Sequence, residues 1–291
     1  MIIKLKKKSK VVAWWSGGVT SAVTCKLCID FFGVDNCEFI FIDTNNEHED
    51  TERFRIDCEK WYNKEIKIIS NIGIEYKNIQ EVWRRHKSLN VATGAICSTM
   101  LKRRVREVWQ KTNNFKHQAF GFEFSEYKRA LSLVANHAKA KPIFPLIMMG
   151  YEKEDCINII KEANIKAPMM YELGFNNNNC FSTGCVQGGI GYWQKIKREF
   201  PEKFNVMAAM EHELTNNKDE PVTMLKDQSA EAKRTGDFQV FLKPHKDFPN
   251  LKDISMMKGR EPKPLLECNG FCGTNDFTPP TETSKEINYD Y

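Results

Sequence analysis

Ser16-Gly17-Gly18-Val19-Thr20-Ser21 is the stretch of this 291-residue chain whose residue types most clearly call for a ligand. Adjacent glycines let a backbone turn tightly and aim successive N–H groups at one point, while the flanking hydroxyls add donors. A helix starting inside the stretch would add the partial positive charge of its N-terminus. Such a loop holds phosphate or pyrophosphate. It is neither the Walker pattern, since no Gly-Lys-Ser/Thr follows, nor G-x-G-x-x-G. An ordinary strand-to-helix turn capped by Ser16 is the alternative. The second reserve of chemistry is ten cysteines. Cys25 and Cys28 make a C-x-x-C inside a helical stretch, where this spacing also buries two small residues on one face, and packing is favoured there over ligation. Cys37, Cys58 and Cys156 have apolar neighbours and read as core. Cys97, Cys180, Cys185, Cys268 and Cys272 differ, because each lies near Gly, Asn or Ser and beside basic or aromatic residues.

The elements that must position the loop are legible around it. Val11 to Trp15 is a short apolar run that ends at the loop, and Thr20 to Phe32 has the length and apolar content of a helix. Glu38 to Ile42 reads as a second strand, ending at Asp43, with a helix following through about Tyr62. Ile66 to Ile69, Gln118 to Phe122 and Ile143 to Leu146 read as further strands, and 151–163 as an amphipathic helix. Strands and helices alternating at this spacing predict a doubly wound, mostly parallel α/β sheet. Its ligands then sit at the carboxyl ends of the strands. Asp43, at one of those ends, is a candidate for nucleotide or metal contact, with a helix-capping carboxylate as the alternative. Trp193 to Glu213 reads as one helix despite Pro201. From Thr215 polar residues, Pro and Gly dominate, so we expect a nucleotide-binding domain over 1–214 and an irregular, cysteine-containing extension over 215–291.

Composition excludes several classes. Lys and Arg total 43 against 38 Asp and Glu, a net charge of +5 that is too balanced to declare a dedicated nucleic-acid binder, so charge alone names no partner. No run approaches the roughly 18 to 20 apolar residues that span a bilayer, and the basic start has no signal-peptide core behind it. The chain is therefore expected to be cytoplasmic and without a membrane partner, and its thiols to be reduced. Two basic sets stand out: Lys4, Lys6, Lys7, Lys8 and Lys10 near the start, and Arg84, Arg85, Lys102, Arg103, Arg104 and Arg106. Beside a phosphate site they would hold an anionic substrate or a nucleic-acid backbone; solvated helix faces carry such charge as well. Of Trp14 and Trp15, one is expected to face the core, and a base-stacking role for the other is the minority reading.

The SGGxxS loop resembles the SGGxDS loop of the PP-loop nucleotide α-hydrolase superfamily, and later segments resemble its phosphoadenosine phosphosulfate (PAPS) reductase-like branch. Phe41-Ile42-Asp43-Thr44 followed by His48-Glu49-Asp50-Thr51 is similar to that branch's strand ending in Asp-Thr before a helix start. Pro168 to Cys185 is similar to its Pro-Leu-Tyr-Glu-x-Gly-Tyr segment with cysteines behind it. The resemblance implies an adenine nucleotide, ATP or a relative, with its phosphates on Ser16, Gly17, Gly18, Val19, Thr20 and Ser21 and with Asp43 and Thr44 alongside. Most members attack the α-phosphate of ATP and release pyrophosphate, with Mg²⁺ assisting, as transferases acting on a nucleic-acid or small-molecule acceptor. Reductases of the branch are oxidoreductases that grip a sulfonucleotide and carry a nucleophilic cysteine in Glu-Cys-Gly-Leu-His, which Glu267-Cys268 begins and Asn269 breaks. By this likeness Cys268 is a catalytic candidate. Iron-sulfur members carry cysteines at a helix start and again in a close downstream pair. Cys97, Cys180, Cys185 and Cys272 thus become candidate ligands of a 4Fe-4S cluster, with Zn²⁺ as the alternative and unligated thiols as the third reading.

Two departures bear on the chemistry. Thr20 stands where the Asp of SGGxDS is expected, which removes or relocates any metal role of that carboxylate. Glu123 stands where the reductases carry Arg, and a carboxylate there repels a sulfate or phosphate terminus. ATP activation coupled to sulfur transfer or a related modification is therefore preferred to sulfonucleotide reduction. A nucleotide- or nucleic-acid-binding protein without catalysis is the third class. A homodimer is left open.

Overall fold

Largely apolar runs at 11–15 and 37–42 build strands buried on both faces, which is the mark of a parallel sheet covered on each side, while 66–69 forms an edge strand with Lys67 and Ile68 exposed. The computed structural model describes residues 10–91, 94–263 and 265. Strands β1 (Val11–Trp15), β2 (Cys37–Ile42) and β3 (Ile66–Ile69) are separated by helices α1 (Val19–Phe32) and α2 (Asp50–Tyr62). Then follow α3 (Ile79–His86), a small antiparallel hairpin of β4 (Asn90–Val91) and β5 (Gly94–Ala95), and a helical run. That run comprises α4 (Ile96–Ser98), a π-turn (Thr99–Arg103) and α5 (Arg104–Thr112). Strand β6 (His117–Ala119), α6 (Tyr127–Asn136), β7 (Pro142–Ile143), α7 (Pro145–Met149) and α8 (Lys153–Glu162) complete the sheet domain.

The five sheet strands lie in the order β3-β2-β1-β6-β7, all parallel, with Trp15 opposite Phe41 and Ala13 opposite Ala119. The order reverses direction at β1, so a crevice opens beyond its carboxyl end between the loops after β1 and β6. Alternation along β1 divides its side chains. Val11, Ala13 and Trp15 pack with α1, α2 and α8 on one face, and Val12 and Trp14 with α5 and α6 on the other. Both tryptophans are therefore core residues, and neither is available to stack on a base. Trp14 donates its indole N–H to Gln118 Oε1 at 2.6 Å and meets Trp109 edge-on.

A third apolar cluster gathers α3, α4 and the chain after α9 (Met169–Glu172). The stretch expected as one helix over Trp193 to Glu213 is two, α10 (Ile190–Glu199) and α11 (Pro201–Lys218). Pro201 cannot donate an N–H to the preceding turn but suits the first position of a new helix, so the chain breaks at Phe200. Helix α11 runs three residues past Thr215. The extension beyond is more regular than its composition suggests. Strands β8 (Leu225–Lys226), β9 (Gln239–Phe241) and β10 (Lys252–Asp253), with α12 (Ala230–Thr235) between β8 and β9, form a second sheet. Strands of two or three residues are too short to show a period, so their signal was invisible in the sequence.

Glu211 on α11 holds this small sheet. Its carboxylate, wholly buried, accepts the N–H of Met224 and that of Leu242, the latter at 2.7 Å. Burial pushes its pKa up to about 8, against the pull of those two amides. A carboxyl whose folded pKa lies above its unfolded value contributes stability that is complete below pH 4.5 and is lost as pH rises through about 8. The unfolding free energy from urea titrations at pH 5 to 9 should therefore decline, by an amount on the order of a few kcal/mol. Glu211→Gln, which cannot ionise, should show a flatter profile; an equally steep decline in the variant would assign it to other groups.

Candidate functional site: a phosphate loop at the sheet's switch point

The loop after β1 is closed on itself by Ser21. Its Oγ accepts from the Ser16 backbone N–H and from Ser16 Oγ, each at 3.0 Å, and donates to the Gly18 carbonyl at 2.9 Å. Gly17 takes a left-handed backbone, φ +87°, which a side chain would strain. The residue capping α1 is Gly18 rather than Ser16, and no side chain fills the cap. The first-turn amides of α1 are thus left without the usual carboxylate or hydroxyl partner, except that Val19 N–H reaches Tyr171 Oη at 3.3 Å. A helix N-terminus uncapped at a sheet's switch point is the geometry that receives an anion. Thr20, where a carboxylate was expected, is fully buried with its Oγ1 unpartnered, so it adds no negative charge to the cradle.

The walls come from four directions. From β2, Asp43 and Thr44 lie one strand over from Ser16, because Trp15 and Phe41 are in register. Burial raises the Asp43 carboxyl above its ordinary value; the Asn45 N–H at 2.8 Å opposes this, Glu47 beside it adds to it, and Lys102 opposes it. Thr44 Oγ1 donates to Glu47, whose carboxylate also lies 3.6 Å from buried Lys102. From β6, Gly121 crosses the start of α1 so closely that a Cβ there would sit 2.9 Å from the Ser21 backbone. From the asparagine run, Asn178 Nδ2 donates to Gly17 O at 2.8 Å and to Thr51 Oγ1 at 3.1 Å. Asn46 stitches the loop after β2 to this run's continuation, its carbonyl accepting from Phe181 and Ser182 N–H and its side chain bonding Thr183. Neither Asn46 nor Asn178 belongs to a motif that marks it in the sequence, where Asn176 to Asn179 is simply a run of four asparagines.

Glu123 does not confront the ligand. It caps the short helix beginning at Phe124, accepts the Lys153 N–H at 2.9 Å and pairs with Lys153 Nζ at 3.5 Å. Its repulsion is thereby neutralised, which removes an objection to a sulfonucleotide. In the second basic set Arg84 pairs with Glu213, Arg85 with Glu81 and Arg104 with Glu75, each arginine about half exposed, and Arg106 of α5 is buried. Of the N-terminal strip only Lys10 is described.

The cysteines separate as well. Cys25, Cys28 and Cys58 are completely buried among α1, α2 and Tyr62, and burial raises all three thiols. Cys97, at the start of α4, and Cys180 and Cys185 share the third apolar cluster, where Cys185 N–H donates to Tyr192 Oη at 2.9 Å. Cys268 and Cys272 lie outside the described residues. Among the described residues no three His, Cys, Asp or Glu side chains come together to hold a metal ion. They do not by themselves build a cluster site. No helix among them is long and apolar enough to cross a membrane.

The doubly wound parallel sheet, with an uncapped, glycine-built loop at its switch point, defines an α/β protein. The family model described as the phosphoadenosine phosphosulfate reductase domain matches residues 10–188, and the chain belongs to that family. No curated protein matches it. Two solved structures are similar. Phosphoadenylyl-sulfate (PAPS) reductase from Candida auris, in a phosphate complex, is 16% identical with a TM-score of 0.44, covering 62% of this chain and 90% of its own. The U34-tRNA thiolase NcsA from Methanococcus maripaludis, with its [4Fe-4S] cluster, is 15% identical with a TM-score of 0.44, covering 72% and 74%.

Proposed function

We propose that this chain binds ATP with its phosphates on the Ser16 to Ser21 amides and its adenosine over the carboxyl ends of β1 and β6. There it activates an acceptor at the α-phosphate. The observation that supports this is the uncapped start of α1 beneath a loop tied shut by Ser21. An oxygen nucleophile of the acceptor attacks the α-phosphorus, the bond to the bridging oxygen breaks, and pyrophosphate leaves with the electron pair. Amides preorganised around the departing charge lower the barrier because they need no reorientation as it develops. Mg²⁺ suits the site, since it binds through one or two carboxylates together with substrate phosphates, and Asp43 and Glu47 would hold it. When bound it neutralises charge on the leaving group. A sulfide-level sulfur nucleophile from a separate donor then attacks the adenylated carbon of the acceptor, a nucleic acid or a small molecule, forming the C–S bond as the C–O bond breaks and AMP leaves with the electron pair.

One observation favours a second reading. Leu265 N–H is held by Asn177 Oδ1 at 2.9 Å, one residue from the asparagine that touches Gly17. Cys268 follows three residues later in the sequence, as a thiol-dependent sulfonucleotide reductase would need. The two readings have different products. Incubation with α-labelled ATP and Mg²⁺ should release pyrophosphate and AMP slowly, with water as acceptor, and Gly17→Val should abolish the release. Sulfite from a sulfonucleotide, lost in Cys268→Ser, would replace the first reading by the second. Nucleotide binding with neither product would overturn both.

A further inference from the structure

A peptide bond is planar and trans, so its C=O and N–H point in opposite directions. Whatever grips the Gly17 carbonyl therefore sets the direction of the Gly18 N–H. That carbonyl is gripped by Asn178 Nδ2 at 2.8 Å, with the second amide hydrogen on Thr51 Oγ1 at 3.1 Å. Only the nitrogen of an asparagine amide can face a carbonyl oxygen, so the orientation of Asn178 is fixed by chemistry. Its Oδ1 is buried without a partner. The arrangement thus leaves one polar atom unsatisfied in order to keep the donor on Gly17, a choice that native proteins make where a site needs it.

The two residues before Asn178 are themselves held. Lys153 Nζ donates to the Asn176 carbonyl at 3.0 Å, and Leu265 N–H donates to Asn177 Oδ1. The segment bringing Leu265 there is clamped by Gln194, which bonds Met257 O, Lys258 O and Arg260 N–H. Gly17 leaves no slack on its own side, because a Cβ there would lie 3.1 Å from both Asn178 Nδ2 and Thr51 Cγ2.

We propose that Asn178 is the positioning residue of the phosphate loop: by holding the Gly17 carbonyl against the α2 side, it aims the Gly18 N–H away from that wall and at the oligophosphate. This rests on the nucleotide reading and deepens it. The role predicts selectivity by ligand part. A residue that merely stabilises the fold would, when removed, loosen the adenosine and phosphate subsites alike; a residue that aims one amide weakens only the phosphate end.

The test is competition against a fluorescent ATP analogue bound to the full chain, using inorganic pyrophosphate and adenosine as separate competitors. Asn178→Ala should weaken pyrophosphate by roughly ten- to a hundredfold, the range expected for a misdirected hydrogen bond to a charged group, and leave adenosine within about twofold. Thr51→Val keeps the shape and removes one of the two anchors, so it should give the same selectivity on a smaller scale. It carries the test if Asn178→Ala does not fold. Equal weakening of both competitors, or no change in pyrophosphate, overturns the proposal. A wild-type chain that fails to bind the analogue overturns the nucleotide reading itself, and this inference with it.

Discussion

Alanine at Gly121 is expected to cost the protein its grip on nucleotides together with about 1–3 kcal/mol of stability, the usual range for overpacking. The cause is contact rather than backbone freedom. The added Cβ would sit 2.9 Å from both Cα and N of Ser21 and 3.1 Å from the carbonyl carbon of Thr20. All three are backbone atoms, so no flexible side chain can give way. Either the chain leaving β6 lifts off α1, or the first turn of α1 moves, and that turn carries the amides of the cradle. Because β1 and β6 are in register at Ala13 and Ala119, the strand beneath cannot slide to accommodate the change. Titration calorimetry with ATP, beside urea denaturation, measures both effects. Gly189→Ala is the control, since a Cβ there meets nothing within 4 Å, and it should bind ATP as the wild type does. Wild-type affinity in Gly121→Ala would show that the close crossing is incidental.

That crossing illustrates what the sequence could and could not disclose. Strand β1 was legible to the residue, because a parallel strand buried on both faces is a continuous apolar run with nothing else to be; β3, an edge strand with Lys67 and Ile68 exposed, was legible from its three isoleucines between polar flanks. The loop at 16–21 was legible because paired glycines between such a run and a helix have few other uses. Gly121 falls inside the run read as a strand; its role depends on which strand lies beside β1, and pairing between residues a hundred positions apart leaves no local pattern. The same is true of the walls. Asn46 and Asn178 act through single hydrogen bonds to distant backbone, and asparagines in a loop look alike whether they hold a phosphate loop or face water. Charge depended on the fold as well. Arg84 and Arg104 meet Glu213 and Glu75 from elsewhere in the chain. Glu123 looked hostile to an anion until Lys153 closed on it.

Ser21→Ala is expected to have the largest effect per atom removed. A hydroxyl has one hydrogen and two lone pairs, and Ser21 uses all three: it donates to Gly18 O and accepts from Ser16 N–H and Ser16 Oγ. Removing the oxygen untethers the loop at both ends at once, leaving the half-buried Ser16 N–H without its acceptor at a cost of up to about 1 kcal/mol. The larger consequence is functional. An amide cradle stabilises departing pyrophosphate only if its donors are already aimed, and the entropy of aligning several freed peptides must then be met at the moment of reaction. ATP affinity and the rate of pyrophosphate release should each fall, together by at least about a hundredfold in kcat/KM, the loss typical of one preorganised donor. Ser16→Ala breaks only the hydroxyl link and keeps the Ser16 N–H on Ser21, so its loss should be distinctly smaller. If the two variants are equally impaired, Ser21 is not the tie that shapes the loop. If Ser21→Ala retains wild-type kcat/KM, the cradle is not where the reaction's charge develops.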